Sequence, residues 1–163
     1  MPDFHCLIAE DKQMRDFGAA LFSACQCGGI IALQGNLGTG KTTLVRGALE
    51  SRGVTHGVRS PTYTLIEFYP FETLAVAHFD LYRLAEAEEL EYLGFRDYLN
   101  DNTLCFIEWP ERAEGILNDV GLLVQLDYDP GGRQLSLTGN TPWGCEIINL
   151  IEDQCRIQSL QLQ

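Results

Sequence analysis

The segment Gly35-Asn36-Leu37-Gly38-Thr39-Gly40-Lys41-Thr42 fits G-x-x-x-x-G-K-[ST], and its flanks decide what can be built around it. Ile30-Ile31-Ala32-Leu33 runs before it, a continuous apolar stretch of the kind that forms a strand buried on both faces. Residues 41–51 follow with Leu44, Val45, Ala48 and Leu49 at helical spacing and Gly53 at the end. Strand, glycine loop, helix is the context in which this motif binds phosphate. The glycines let successive backbone N–H groups turn inward around phosphate oxygens, and the helix N-terminus adds its positive dipole. Lys41 then reaches the β- and γ-phosphates and the Thr42 hydroxyl can ligate Mg²⁺, with Asn36, Leu37, Gly38, Thr39, Gly40 and Thr43 completing the cradle. Function therefore starts from a bound nucleoside triphosphate.

The rest of the chain supplies strands and helices in alternation. Residues 4–9 read as a short strand, and Asp11 caps a helix in which Met14, Phe17, Leu21 and Ala24 recur at helical spacing before Gly28-Gly29 ends it. Residues 54–60 form a loop; 62–69, 74–79 and 104–107 read as strands, and 86–99 as an acidic amphipathic helix. Residues 122–128 and 134–138 flank Pro130-Gly131-Gly132 as a hairpin, and 145–157 close the chain as a helix. This order predicts an α/β fold of the P-loop NTPase type. It is a three-layer sandwich whose mainly parallel, mixed sheet carries helices on both faces, with the ligand crevice at the strand carboxyl ends.

A chain of 163 residues has room for one such domain over residues 1–163, and is too short for a nucleotide domain plus a separate substrate domain. With no apolar run near the roughly 18 residues of a membrane span, and no basic start leading into a long apolar stretch over residues 1–10, a cytoplasmic protein is expected. The formal net charge is −12, and the only lysines are Lys12 and Lys41. Because nucleic-acid binding rests on Lys and Arg neutralising phosphates, direct tight binding to RNA or DNA is disfavoured and protein surfaces are the expected partners. Cys6, Cys25, Cys27, Cys105, Cys145 and Cys155 show no C-x-x-C spacing, and His5, His56 and His78 lie far from any cysteine pair, which argues for free thiols and against zinc.

A phosphate loop alone only binds; hydrolysis or transfer needs a Mg²⁺ partner and a group that orients the attacking atom. Asp80 and Glu108 each follow an apolar strand, at the carboxyl end where they can face the triphosphate, and their spacing leaves the two roles unassigned. Ser60-Pro61-Thr62 reads either as an ordinary turn or as a switch whose hydroxyl closes on the γ-phosphate. Trp109, directly after Glu108, is either core or an anchor for a partner. Asp11 and Arg133 are candidates for the base pocket, Arg133 by stacking on a purine, against the plainer readings of a helix cap and a hairpin charge. No N-K-x-D signature of a guanine pocket is present, which favours ATP.

Five ordered segments carry a resemblance through most of the chain: Gly35 to Thr43; Ser60-Pro61-Thr62-Tyr63-Thr64-Leu65; His78-Phe79-Asp80-Leu81-Tyr82-Arg83-Leu84; Glu88-Glu89-Leu90 with Gly94; and Ile107-Glu108-Trp109-Pro110-Glu111. Together they resemble the bacterial TsaE (YjeE) family of small ATPases, which act with the TsaB and TsaD proteins in making N6-threonylcarbamoyladenosine (t6A) in tRNA. The resemblance implies a Mg²⁺-dependent ATPase, slow alone, that is an accessory to the TsaB–TsaD assembly and meets tRNA only through it. It further implies that Lys41 grips the β- and γ-phosphates, Thr42 and Glu108 hold Mg²⁺, and Asp80 orients or activates the attacking water. Thr62 becomes the switch residue, Trp109 a sensitive aromatic near nucleotide and partner, and Arg83 a brace for Asp80. Asn36 stands where many members have Asp, which keeps a turn-forming side chain but removes a charge. Beyond Asn140 no motif is recognisable. Two rivals remain: a small-molecule or nucleoside kinase, disfavoured because no arginine-bearing lid is visible, and a nucleotide-gated adaptor in which partner binding is the activity.

Overall fold

The structure, a computed structural model, describes residues 3–55, 58, 61 and 64–161. Its strands are β1 (Asp3–Ile8), β2 (Gly29–Gln34), β3 (Ile66–Tyr69), β4 (Ala75–Asp80), β5 (Thr103–Glu108), β6 (Val120–Asp129) and β7 (Gly132–Gly139). Its helices are α1 (Asp11–Ala24), α2 (Lys41–Glu50), α3 (Glu89–Tyr92) and α4 (Pro142–Gln161). The strands form one sheet in the order β1-β7-β6-β2-β5-β4-β3. The strands that read as continuous apolar runs are the central ones: β2 is parallel to β5 and β6, and β4 is parallel to β5. The hairpin β6–β7 and the strands β1 and β3 extend this centre with antiparallel pairs. The mixed, centrally parallel α/β sheet of a P-loop NTPase-like fold is therefore realised.

The two faces are unequal. Because side chains alternate along a strand, Ile31, Leu33, Leu104, Phe106, Leu122 and Val124 pack with Leu21, Phe22, Leu44, Val45, Ile147 and Ile148 of α1, α2 and α4 in one cluster. Ile30, Ala77, Phe79, Cys105 and Ile107 point the other way, and are covered by Leu81, Leu84, Leu90, Phe95 and Ala113 from short helical turns and loops. The expected helix over 86–99 is not formed. Gly94, in the left-handed region at φ 71°, stops the single turn α3 and starts a 3-10 turn at Phe95–Tyr98. The expected helices on both faces are thus three long ones on one side and brief turns on the other.

Further boundaries differ, among them that of the closing helix, which runs Pro142–Gln161 and not 145–157. Asp11 is the first residue of α1 and not its cap: the N-cap is Glu10, and Gln13 Oε1 accepts from the backbone N–H groups of Ala9 and Glu10 at 2.7 and 3.1 Å. Helix α1 ends at Ala24, and Gly29 belongs to β2 instead of terminating the helix. The strand expected over 62–69 is β3 from Ile66; Thr62 and Tyr63 lie outside the described residues. Among the described residues no helix is long and apolar enough to cross a membrane. All six cysteines are free, and burial pushes the Cys25 and Cys105 thiols up to about 12.

Helix α2, which carries the phosphate loop at its start, is seated by a reciprocal close approach to α1. A Cβ on Gly18 would stand 1.9 Å from the Leu44 carbonyl oxygen, and one on Gly47 would stand 2.1 Å from that of Arg15. Gly18→Ala or Gly47→Ala should force the helices apart. Overpacking costs about 1–3 kcal/mol, which for a chain of this size is a fall in Tm of roughly 2–12 °C. Thermal denaturation checks it, and unchanged melting of both variants would contradict the packing described.

Candidate functional site

The carboxyl ends of β2, β4 and β5 meet the N-terminus of α2. Gly40, at φ 107°, is its N-cap and turns the loop into the helix, a backbone conformation that glycine alone adopts without strain. No side chain caps this end, so the first-turn amides are available to an anion. The Lys41 ammonium folds back over the loop, donating to the carbonyl oxygen of Gly35 and, at 3.0 Å, to that of Asn36. It also lies 4.2 Å from the centre of the Trp109 ring. Burial lowers the Lys41 pKa below the ordinary lysine value, while Glu108, Asp80 and Glu111 pull it upward.

Register brings the carboxylates together. Asp80 and Glu108 are paired across β4 and β5, and both are almost fully buried. The Thr42 hydroxyl lies 3.0 Å from each Glu108 carboxylate oxygen, and His78 Nε2 lies 2.6 Å from Oε2. Asp80 Oδ1 accepts from the backbone N–H of Tyr82 at 3.0 Å, which shapes the turn leaving β4. Trp109 is a non-glycine residue at φ 59°; its N–H reaches the Leu33 carbonyl at 3.3 Å and its ring packs 4.9 Å from that of Tyr82. Held by three contacts at a backbone outlier, Trp109 is half-buried at the rim.

Two cavities share the loop. One, of about 360 Å³, is lined by Leu37, Gly38, Gly40, Lys41, Thr42, Thr43, Asp80, Arg83, Glu108 and Trp109. The other, of about 190 Å³, lies across Gly38, Thr39, Gly40 and Thr43 and is walled by Asp11, Met14 and Arg133. Thus the two residues with the plainest alternative readings, Asp11 and Arg133, come together beside the phosphate loop. Asn36 lines neither cavity; its carbonyl accepts from Lys41 and, at 2.8 Å, from the Thr39 hydroxyl. Thr62 lies outside the described residues.

The hairpin also braces the loop. Tyr128 and Arg133, paired across β6 and β7, bond the loop carbonyls of Leu37 and Gly38, the latter at 3.1 Å, and stack with 4.5 Å from guanidinium to ring centre. Tyr128 and His78 were not among the sequence candidates. For His78 the available signal was its i, i+2 spacing to Asp80, which puts both on one strand face.

The donor set suits a magnesium–nucleotide complex. A threonine hydroxyl and a buried carboxylate stand together beside a lysine and open helix amides, and among the described residues no three His, Cys, Asp or Glu side chains cluster to form a protein-only cage. Mg²⁺ characteristically takes one or two carboxylates plus substrate phosphates and waters.

Fold and site define a P-loop NTPase-like α/β protein. The structure superposes on the crystal structure of Bacillus subtilis YdiB with a TM-score of 0.75 and 24% identity, covering 96% of this chain and 97% of that one. Residues 8–135 match the family model described as "Threonylcarbamoyl adenosine biosynthesis protein TsaE". The "tRNA threonylcarbamoyladenosine biosynthesis protein TsaE" of Haemophilus influenzae is 48% identical over 120 residues, 74% of this chain and 76% of its own. The protein of the same name from a Nostoc species is 35% identical over 149 residues, 88% of this chain and 89% of its own. The chain belongs to the TsaE family.

Proposed function

We propose that this chain is a Mg²⁺-dependent ATPase that serves t6A formation in tRNA as an accessory factor, acting with TsaB and TsaD so that modification repeats. Membership of the TsaE family supports the pathway. The observation that carries the ATPase reading is the convergence of Lys41, Thr42, Asp80 and Glu108 on one cavity at the strand ends.

In this reading Lys41 turns from the loop carbonyls to the β- and γ-phosphates, and the amides of the first α2 turn take the phosphate oxygens. Thr42 and Glu108 hold Mg²⁺, which when bound neutralises charge on the β- and γ-phosphate oxygens. Asp80 orients the attacking water. Gly38, Thr39 and Thr43 separate the phosphate cavity from the one walled by Asp11 and Arg133, which receives the base. Thr62 acts as the switch. The net charge of −12 keeps tRNA contact indirect, through the partner assembly. An arginine finger is worth about 10³ to 10⁵ in rate, so a partner that supplies one, or orders the switch, would explain slow turnover alone.

The test is t6A formed per TsaB–TsaD assembly over time, with the wild-type chain, with Lys41→Ala and with no addition. Repeated turnover is expected with the wild-type chain alone. Equal yields in all three arms would reject the accessory-ATPase reading. Tight tRNA binding by the isolated chain at physiological salt would reject the indirect contact.

A further inference from the structure

His78 stands where a core strand residue would be expected. It lies in β4 between Val76 and Asp80 on the face turned to α2, beside Phe106 of β5, and its side chain has no solvent exposure. An imidazole in such a place costs desolvation unless a hydrogen bond compensates it. One does: Nε2 lies 2.6 Å from Glu108 Oε2. As a carboxylate Glu108 can only accept, so Nε2 carries the hydrogen. Nδ1 is buried with no partner among the described residues. In the tautomer with its single hydrogen on Nε2, Nδ1 is a bare acceptor and not an orphaned N–H. Among the described residues the ring has one polar contact, and that contact is to Glu108.

The terminal torsion of a glutamate is broad and weakly held on its own. Here one oxygen is tied to a ring fixed in the sheet, and both oxygens lie 3.0 Å from the Thr42 hydroxyl. The bond therefore restrains the plane of the carboxylate, with both oxygens held toward Thr42 at the edge of the cavity that Thr42 and Glu108 line. We propose that His78 is the positioning residue for Glu108, orienting the carboxylate for a divalent cation bound with nucleotide. The inference rests on the reading of Glu108 and Thr42 as the cation-holding pair. It adds a group that never touches cation, nucleotide or reacting atoms.

Three substitutions test it. Gln places its amide nitrogen the same number of bonds from Cα as His Nε2 and can donate to Glu108; Asn is shorter and Leu has no donor. Nucleotide affinity is measured first in EDTA and then across a Mg²⁺ titration, with Mn²⁺ binding in the presence of ADP followed by electron paramagnetic resonance. His78→Leu is expected to leave affinity in EDTA unchanged and to raise the cation concentration required by about 10–100-fold, as for removal of a group that orients a metal ligand. His78→Gln should recover most of the wild-type requirement, and His78→Asn should not. A merely structural histidine would shift melting temperature with no selective effect on cation dependence. A wild-type cation requirement in folded His78→Leu would overturn the proposal. Should Leu unfold the chain, equal requirements in the Gln and Asn variants would overturn it instead. If the unsubstituted chain shows no cation dependence of nucleotide affinity, the cation-holding reading of Glu108 has failed, an outcome distinct from failure of the histidine alone.

Discussion

Lys41→Ala is expected to reduce ATP turnover to background in a chain that still folds. Lys41 is the one compact cation of the loop, and Glu108, Asp80 and Glu111 all act on its ionisation from nearby. Without it a polyanionic triphosphate meets those carboxylates with backbone amides and Mg²⁺ in its favour but without the cation that reaches the β- and γ-phosphates. A hydrogen bond to a charged group is worth about 1.5–3 kcal/mol, or roughly 10- to 150-fold in affinity, before any loss in the transition state. The fold should survive, because among the described residues Lys41 bonds loop carbonyls and lies over the face of Trp109 and takes no part in the apolar clusters. A drop of a few degrees in melting temperature is the expected structural cost. Circular dichroism, ATP binding by calorimetry and phosphate release measure the three quantities. Wild-type turnover by the folded variant at saturating ATP and Mg²⁺ would remove the phosphate-loop assignment.

What was legible in the sequence was local, and what was missed depends on partners distant in the chain. The strand–loop–helix around Gly35 to Thr42 could be read because glycine conformation, strand hydrophobicity and helix periodicity are all written within some twenty residues. Asp80 and Glu108 were legible as strand-end carboxylates, but their pairing required the register of β4 on β5. His78 stood inside a segment that carries the family resemblance, but its partner is 30 residues away and nothing in its own strand ties it to Glu108. The segment 86–99 misled for a different reason: its acidic amphipathic spacing favours a helix, yet Gly94 at positive φ breaks it where the chain must turn to bury Phe95. The capping signal at Asp11 was misplaced by one residue because Glu10 and Gln13 form the capping box. Arg133 and Tyr128 could not be tied to Leu37 and Gly38 from spacing alone, since only the β6–β7 hairpin carries them to the loop.

The two carboxylates should separate when they are altered one at a time. Glu108 is bonded to Thr42 and His78, whereas Asp80 faces the same cavity with one oxygen committed to the Tyr82 N–H. Glu108→Ala should keep nucleotide binding in EDTA and lose its enhancement by Mg²⁺, because the hydroxyl of Thr42 is then left without its carboxylate partner. It also strands the His78 donor in the interior, and an unsatisfied buried group costs about 1–3 kcal/mol, so a lower melting temperature accompanies the loss. For Asp80 the informative change is Asn, which keeps an oxygen for the Tyr82 N–H and removes the charge. Asp80→Asn should bind ATP and Mg²⁺ as the wild type does and lose about 10²- to 10⁴-fold in turnover, the range for loss of a positioned acid or base. Titrating Mg²⁺ against ATP affinity and phosphate release in both variants decides the assignment. An unchanged Mg²⁺ requirement in Glu108→Ala would exclude Glu108 as a ligand, and loss of nucleotide binding in Asp80→Asn would move Asp80 from the water to the cation.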